Sequence, residues 1–269
     1  MDNTVKEPLI HLSKREDMSF GKKWLVRIIA ILLSLIVCAG FIFIIIKMNP
    51  VEVYEGIVEG AVGTGRRFWV TARDALTLLC VAVAVTPAFK MKFWNIGAEG
   101  QILMGCVASA AMMIYAGNAL PTGLLLVLMF VCSFIAGGIW GIIPAFFKAR
   151  WNTNETLFTL MLNYVAMQVV TFCIVYWENP AGSNSVGIIN APTRAGWFPQ
   201  LFGLDYGWNL AIVLLLTVLM FIYMKRTKHG YEIAVVGESE NTARYAGINV
   251  GKVIVRTVGI SGGIAGIAG

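Results

Sequence analysis

Charged residues are scarce in this sequence. They make up 13% of its 269 residues, and 58% are hydrophobic, with a mean hydropathy of +0.74. An ordinary soluble domain carries about 25% charged and about 45–50% apolar residues, so a soluble fold is excluded. Histidine is almost missing as well. His11 and His229 stand far apart, which leaves no pair at metal-ligand spacing and no imidazole set for Ser/His/Asp or Cys/His chemistry. The five cysteines (Cys38, Cys80, Cys106, Cys132 and Cys173) all fall in apolar segments, with no C-x-x-C pair. Single thiols in such places are small packing residues, so no disulfide, zinc or redox role is expected. A phosphate loop of the form G-x-x-x-x-G-K-[ST] is also lacking. "GINVGKV" (247–253) has the wrong spacing, and "GTGRRF" (63–68) falls on the outer side. The chain is not expected to be an enzyme, nor to hold a cofactor or metal.

What fills the sequence instead is a series of long apolar runs, at 24–46, 71–89, 96–117, 123–143, 155–177, 209–224 and 253–269. A helix needs about 20 apolar residues to cross the hydrocarbon core. The pattern predicts an all-α integral membrane protein, a polytopic helical bundle of about seven membrane segments. The run at 24–46 is too long for the apolar stretch of a signal peptide, about 7–15 residues, and reads as a retained first helix behind a cytoplasmic tail, 1–23. With the N-terminus inside, the inner segments hold fourteen basic residues: Lys6, Lys14, Arg15, Lys22, Lys23, Lys90, Lys92, Lys148, Arg150, Lys225, Arg226, Lys228, Arg244 and Lys252. The outer segments hold Arg66, Arg67 and Arg194. Cytoplasmic loops carry the excess of Lys and Arg, which strongly favours this orientation. The net charge of +6 is therefore a mark of topology, and nucleic acid is not expected as a partner. The weakest segment is 71–89, with Arg73 and Asp74 near its start and Pro87 near its end; a tilted, broken or half-inserted helix is expected there.

The transmembrane region runs from 24 to 269, and two of its connections stand out. The outer one, 178–208, is rich in Gly, Pro and Asn and carries Trp197 and Trp208, so an ordered external loop with interfacial aromatics is predicted. The inner one, 225–252, contains a short helical stretch from about Ser239 to Ala246, with Gly247 as its C-cap. Gly137 and Gly141, like Gly262 and Gly266, stand at G-x-x-x-G spacing, which lets helix backbones approach closely. The sequence ends in "GISGGIAGIAG", within an apolar run, and a fragment or truncated product is expected.

Polar residues inside membrane segments are functional candidates because burying them is costly. In 155–177, Thr156, Thr159 and Asn163 share one helix stripe, and Asn163 lies roughly 12 Å in from Glu155. Asn163 suits a hydrogen bond to a polar solute and an interhelical hydrogen bond equally. Gln168 points away from it and is expected to pack against another helix. The stretch "WNIGAEG" (94–100) sets Asn95, Glu99 and then Gln101 among glycines. Gly97 and Gly100 weaken a helix by about 1 kcal/mol each and permit a break or close approach at the cytoplasmic mouth. Glu99 there borders a wet cavity, caps a neighbouring helix, or simply complements the dipole of its own first turn.

Three stretches together, "FWNIGAEGQILMG" (93–105), "NETLFTLMLNYVA" (154–166) and "RTKHGYEIAVVGESENTARYAGINV" (226–250), resemble the permease subunits of bacterial ABC importers, in the nucleoside and simple-sugar subgroup served by basic-membrane-protein-type lipoprotein receptors. The resemblance covers most of 70–269, in order and spacing. It implies a multi-pass protein of the bacterial plasma membrane that works with a second, related permease, a cytoplasmic ATP-binding subunit and an extracellular substrate-binding lipoprotein. It also implies that the C-terminal part of the family fold is missing here. "GESENTARYAGI" (237–248) resembles the family's coupling helix, which makes Glu238, Glu240, Ala243, Arg244 and Gly247 the residues expected to dock on the ATPase. Asn95, Glu99, Gln101, Thr159 and Asn163 are the expected solute pathway. A purine nucleoside is the favoured cargo, with a simple sugar or another small polar solute as the alternative. A secondary transporter or channel is disfavoured by the lack of ionisable residues deep in the central helices.

Overall fold

The computed structural model describes residues 19–269 apart from 202, 204 and 205. The expected tail therefore lies outside the described residues up to position 18. Among the described residues seven helices are long and apolar enough to cross a membrane, as the apolar runs predict.

The residues up to Phe68 form one unit. Helix α1 (Phe20–Phe41) continues as one π-helical turn through Ile46 and stops at Lys47, whose φ is 57°. No residue of α1 is buried. Lys47 adds a fourth basic residue to the outer side, leaving the sign of the asymmetry unchanged. Helix α2 (Pro50–Val62) has no counterpart in the apolar runs. It starts from strong local chemistry: the Asn49 side chain accepts from Val51 N (3.1 Å) and donates to Glu52 (3.3 Å), and Pro50 takes the first helical position. Both are established helix-start devices. Tyr54 then donates to Leu35 O at 2.6 Å, tying α2 back to α1.

The second unit, Trp69–Gly269, holds the remaining helices: α3 (Gly65–Lys90, which begins just before it), α4 (Ala98–Ala116), α5 (Thr122–Trp151), α6 (Glu155–Tyr176), α7 (Gly207–Arg226), α8 (Lys228–Glu238), α9 (Glu240–Tyr245) and α10 (Val250–Ala268). Helix α3 is continuous where a broken or half-inserted segment was expected. Arg73 and Asp74 neutralise each other at 2.8 Å, and the Arg73 guanidinium lies 5.4 Å from the Tyr206 ring centroid. Pro87 falls in the final turn, where the hydrogen bond it forgoes matters least.

Helix α10 is the axis of this unit, with 61% of its apolar window buried against its neighbours. Two glycine motifs make that possible. A Cβ on Gly262 would sit 2.5 Å from Gly137 O, and one on Gly141 would sit 2.9 Å from Val258 O. The backbones of α5 and α10 are thus in direct contact, the close approach that G-x-x-x-G spacing predicts. Helix α4 joins α5 through serine hydroxyls: Ser109 and Ser133 share a hydrogen bond of 2.6 Å, and Gly105 O, within 3.0–3.1 Å of both, accepts from the one that does not donate in that bond. Lipid offers no hydrophobic drive for helix association, so packing and such interhelical bonds hold the bundle.

Among its described residues, the connection between α6 and α7 is tied by hydrogen bonds. The Glu178 carboxylate accepts from Gly182 N (2.7 Å) and Asn184 N (3.2 Å), and Asn190 donates to Met113 O (2.8 Å) at the end of α4. Trp197 donates to Ile189 O within the loop (3.1 Å), while Trp208 already belongs to α7.

Candidate functional site

After α3 the chain turns back through 91–97 in a series of tight turns, burying Met91, Phe93, Asn95 and Gly97 while exposing the residues between. Asn95, 2% exposed, pairs its amide with that of Gln101, 1% exposed: Nδ2 donates to Oε1 at 3.2 Å and Oδ1 accepts from Nε2 at 3.3 Å. Asn95 Oδ1 also accepts from Gly97 N. Helix α4 starts here without a capping side chain of its own. Asn163 of α6 supplies one from across the interface, accepting from Gly100 N at 2.9 Å and donating to Ile96 O at 3.0 Å. Thr159, one turn away, bonds Thr156 O (3.1 Å) and presses on Gly97, where a Cβ would sit 2.9 Å from its own. Gly100 is held as tightly, since a Cβ there would sit 2.9 Å from both Asn163 Oδ1 and Trp140 Nε1.

Four of the five pathway residues predicted from sequence thus come together in one closed polar knot that fixes the start of α4 to α6. Their side chains are bonded within the chain. Glu99 is not part of it: it is exposed on the other side of the first turn of α4, where the helix dipole favours a carboxylate.

The 237–248 segment, expected to couple to an ATPase, is built beside this knot. Ser239 caps α9 by accepting from Thr242 N at 3.3 Å. Glu240 stands in its first turn and Arg244 in its last, both favourable to the dipole, and the two pair at 3.5 Å with both side chains largely in solvent. Gly247, with φ 76°, ends the helix: its N–H reaches Arg244 O (3.0 Å) and Ile248 N reaches Ala243 O (2.9 Å). That two-bond pattern needs a left-handed residue, which glycine supplies at least cost. Glu238 stands on the rim of a cleft of about 170 Å³ that Lys92, Lys148 and Glu155 also line.

Beneath α9 lies an apolar cluster that unites both halves of the site. It contains Ile233 and Val236 of α8, Ala243 of α9, Met91 and Phe93 of the 91–97 turn, and Val253, Ile254 and Val258 of α10. Close packing makes such a cluster transmit displacement, so a push on α9 reaches the 91–97 turn. The outward face of α9 bears Tyr245, 94% exposed. Neither the cluster nor Tyr245 is signalled by residue spacing, although a lone aromatic in an otherwise polar helix is a mark that invites attention.

His229 is likewise unmarked by residue spacing. It is buried on α8, with Nδ1 hydrogen-bonded to the Tyr223 hydroxyl of α7 and Nε2 at 3.5 Å from Thr257 Oγ1 of α10. Burial lowers its pKa from the ordinary 6.5; Arg256 of α10 works in the same direction, and Glu232 opposes them. The neutral ring is therefore the form the fold favours. Its contribution to stability is complete above about pH 6.5 and is lost as pH falls from there through the lower folded-state value. Melting of the purified protein between pH 8 and pH 5 is expected to show this decline, and His229→Gln is expected to flatten it.

Residues 69–269 match a family described as the branched-chain amino acid transport system permease component. Among characterised proteins, the chain is 30% identical over 252 residues to the guanosine ABC transporter permease protein NupP of Bacillus subtilis, covering 91% of this chain and 70% of that protein. It is 29% identical over 258 residues to the nucleoside ABC transporter permease protein NupB of Lactococcus lactis subsp. cremoris (92% and 70%). It is 27% identical over 253 residues to the glucose ABC transporter permease protein TsgB13 of Haloferax volcanii (88% and 64%). No solved structure matches the chain. With three-quarters of its length matched and the site inside that match, the chain belongs to the permease-component family of the branched-chain amino acid transport systems and is a multi-pass transport subunit of the plasma membrane.

Proposed function

We propose that the chain is the membrane-spanning subunit of an ATP-driven importer for nucleosides, with purine nucleosides as the foremost cargo. The observation that carries this reading is the likeness, over nine-tenths of the chain, to two permeases named for guanosine and nucleosides. A glucose permease stands only slightly further away, so a simple sugar is the reading to test against. In labelled guanosine uptake, excess adenosine is expected to compete and excess glucose or ribose is not. The reverse pattern reassigns the cargo while leaving the machinery in place.

In this reading a partner ATP-binding subunit hydrolyses ATP and seats α9, with Glu238, Glu240, Arg244 and the Gly247 turn at the contact. A lipoprotein receptor delivers the solute at the external 178–208 loop, and the route runs between this chain and a second, homologous permease. Closure of the ATPase pair presses α9 inward. The cluster around Phe93 and Ala243 carries the displacement to the 91–97 turn, and through the Asn95–Gln101–Asn163 knot to α4 and α6 together. Asn95, Gln101, Thr159 and Asn163 then shape the route by positioning α4. Glu99, exposed beside them, is the pathway residue left to meet water and solute. Co-purification tests the docking half. Arg244→Glu combined with Gly247→Glu reverses a charge and forces a side chain into a left-handed position; recovery of the ATP-binding subunit is expected to fall about ten-fold or more, since a charge-assisted contact is worth about 1.5–3 kcal/mol. Undiminished recovery removes α9 from the interface.

A further inference from the structure

Helices α5 and α10 leave a groove of about 860 Å³ along their outer side. Phe134, Ile139, Ile142 and Phe146 of α5 and Val255 and Ile260 of α10 make it apolar over most of its length. Its cytoplasmic end differs: Arg150, Lys252 and Arg256 all line it there. Arg256 stands six residues beyond Val250, the first residue of α10, and hence about 9 Å along the span. An unpaired cation at such a position is costly.

Three acidic side chains of this side are already engaged. Glu155 pairs with Lys148 at 3.0 Å, Glu240 with Arg244 at 3.5 Å, and Glu232 with Lys228 at 3.9 Å. Among the described residues, none of the three groove cations has an ion-pair partner. The groove thus presents positive charge at one end only, at the level of the cytoplasmic headgroups, above a purely apolar channel. That profile is the complement of an anionic amphiphile. The dimensions agree: from Phe134 to Arg150 the helix runs about 24 Å, against about 20–22 Å for one leaflet with its headgroup. Basic pockets between membrane helices on the cytoplasmic side are recognised by anionic lipid headgroups.

We propose that the α5–α10 groove binds one anionic phospholipid, its phosphodiester held by Arg150, Lys252 and Arg256 and one acyl chain laid along Phe134–Phe146.

The test uses the full chain, purified in neutral detergent and supplied with phosphatidylglycerol or with phosphatidylcholine of the same acyl length, with native mass spectrometry counting retained lipid. Phosphatidylglycerol is retained and phosphatidylcholine is not. Each cation near the surface is worth roughly five-fold in affinity, so R150Q/K252Q/R256Q weakens retention roughly a hundred-fold. K90Q/K92Q, which removes cytoplasmic charge away from the groove, leaves it unchanged. Should the triple variant fail to fold, I139W serves instead: Ile139 is 57% exposed, and the indole obstructs the acyl channel while every cation stays in place, so retention again falls. Equal retention of the two lipids, or retention indifferent to both variants, overturns the site. Competition by glycerol phosphate overturns it too, since that identifies a free-anion site without a chain. Efficient cross-linking of I139C to another permease chain in native membranes shows that protein covers the groove, and overturns it as well.

Discussion

Gly262→Leu is expected to leave little folded protein. A Cβ at that position would sit 2.5 Å from Gly137 O and 3.3 Å from Gly141 Cα, so the obstacle is backbone, and no rotamer relieves it. Overpacking costs about 1–3 kcal/mol where side chains can adjust; here the whole α5–α10 contact must open, and the loss is expected at about 3 kcal/mol or more. Membrane helices have little else to hold them than such packing. Gly251→Ala on the same helix is the control, because its Cβ would meet Ala149 Cβ at an ordinary 3.5 Å. Monodisperse yield and the melting midpoint in detergent measure both. A Gly262→Leu protein that melts like the parent would show that α10 is not the axis of the unit.

Asn163→Leu is expected to destabilise by about 2–5 kcal/mol, because it strips Gly100 N and Ile96 O of their partner and each unsatisfied backbone group costs about 1–3 kcal/mol. Both of those bonds are now made across the α4–α6 interface. Transport is expected to fail together with stability. Glu99→Gln should behave in the opposite way. Its side chain is exposed, so the melting midpoint should hold within the effect of an ordinary surface change, about 0.5 kcal/mol, and any fall in transport then belongs to the solute route. Wild-type stability for Asn163→Leu with transport abolished would return Asn163 to the lumen and break the knot argument.

These two cases show where sequence reasoning carries and where it stops. Spans, the glycine motifs and the α9 helix with its Gly247 stop are local or periodic properties, and all were readable from residue type and spacing. The 178–208 loop likewise announces its turns. Helix α2 was readable too: Asn49, Pro50 and Glu52 form a helix start, but the segment is too short to register among the long apolar runs. Segment 71–89 looked compromised because Arg73 and Asp74 count as two charges in sequence and as one neutral pair in space. The role of Asn163 stayed open for a different reason. Spacing gives the face of a helix and not what lies across it, and its partners at Gly100 and Ile96 are 63 and 67 residues away. His229 had even less to reveal it, since its partners come from α7 and α10.

The measurement that bears most directly on the whole account is uptake of labelled guanosine by cells expressing this chain with its companion subunits, with and without a catalytically dead ATP-binding subunit. The account predicts uptake that disappears when ATP hydrolysis is disabled and also when α9 carries Arg244→Glu and Gly247→Glu. Uptake that continues unchanged with the dead ATPase would contradict it, because cargo would then be crossing without the coupling that α9, the Phe93 cluster and the α4 knot are built to deliver.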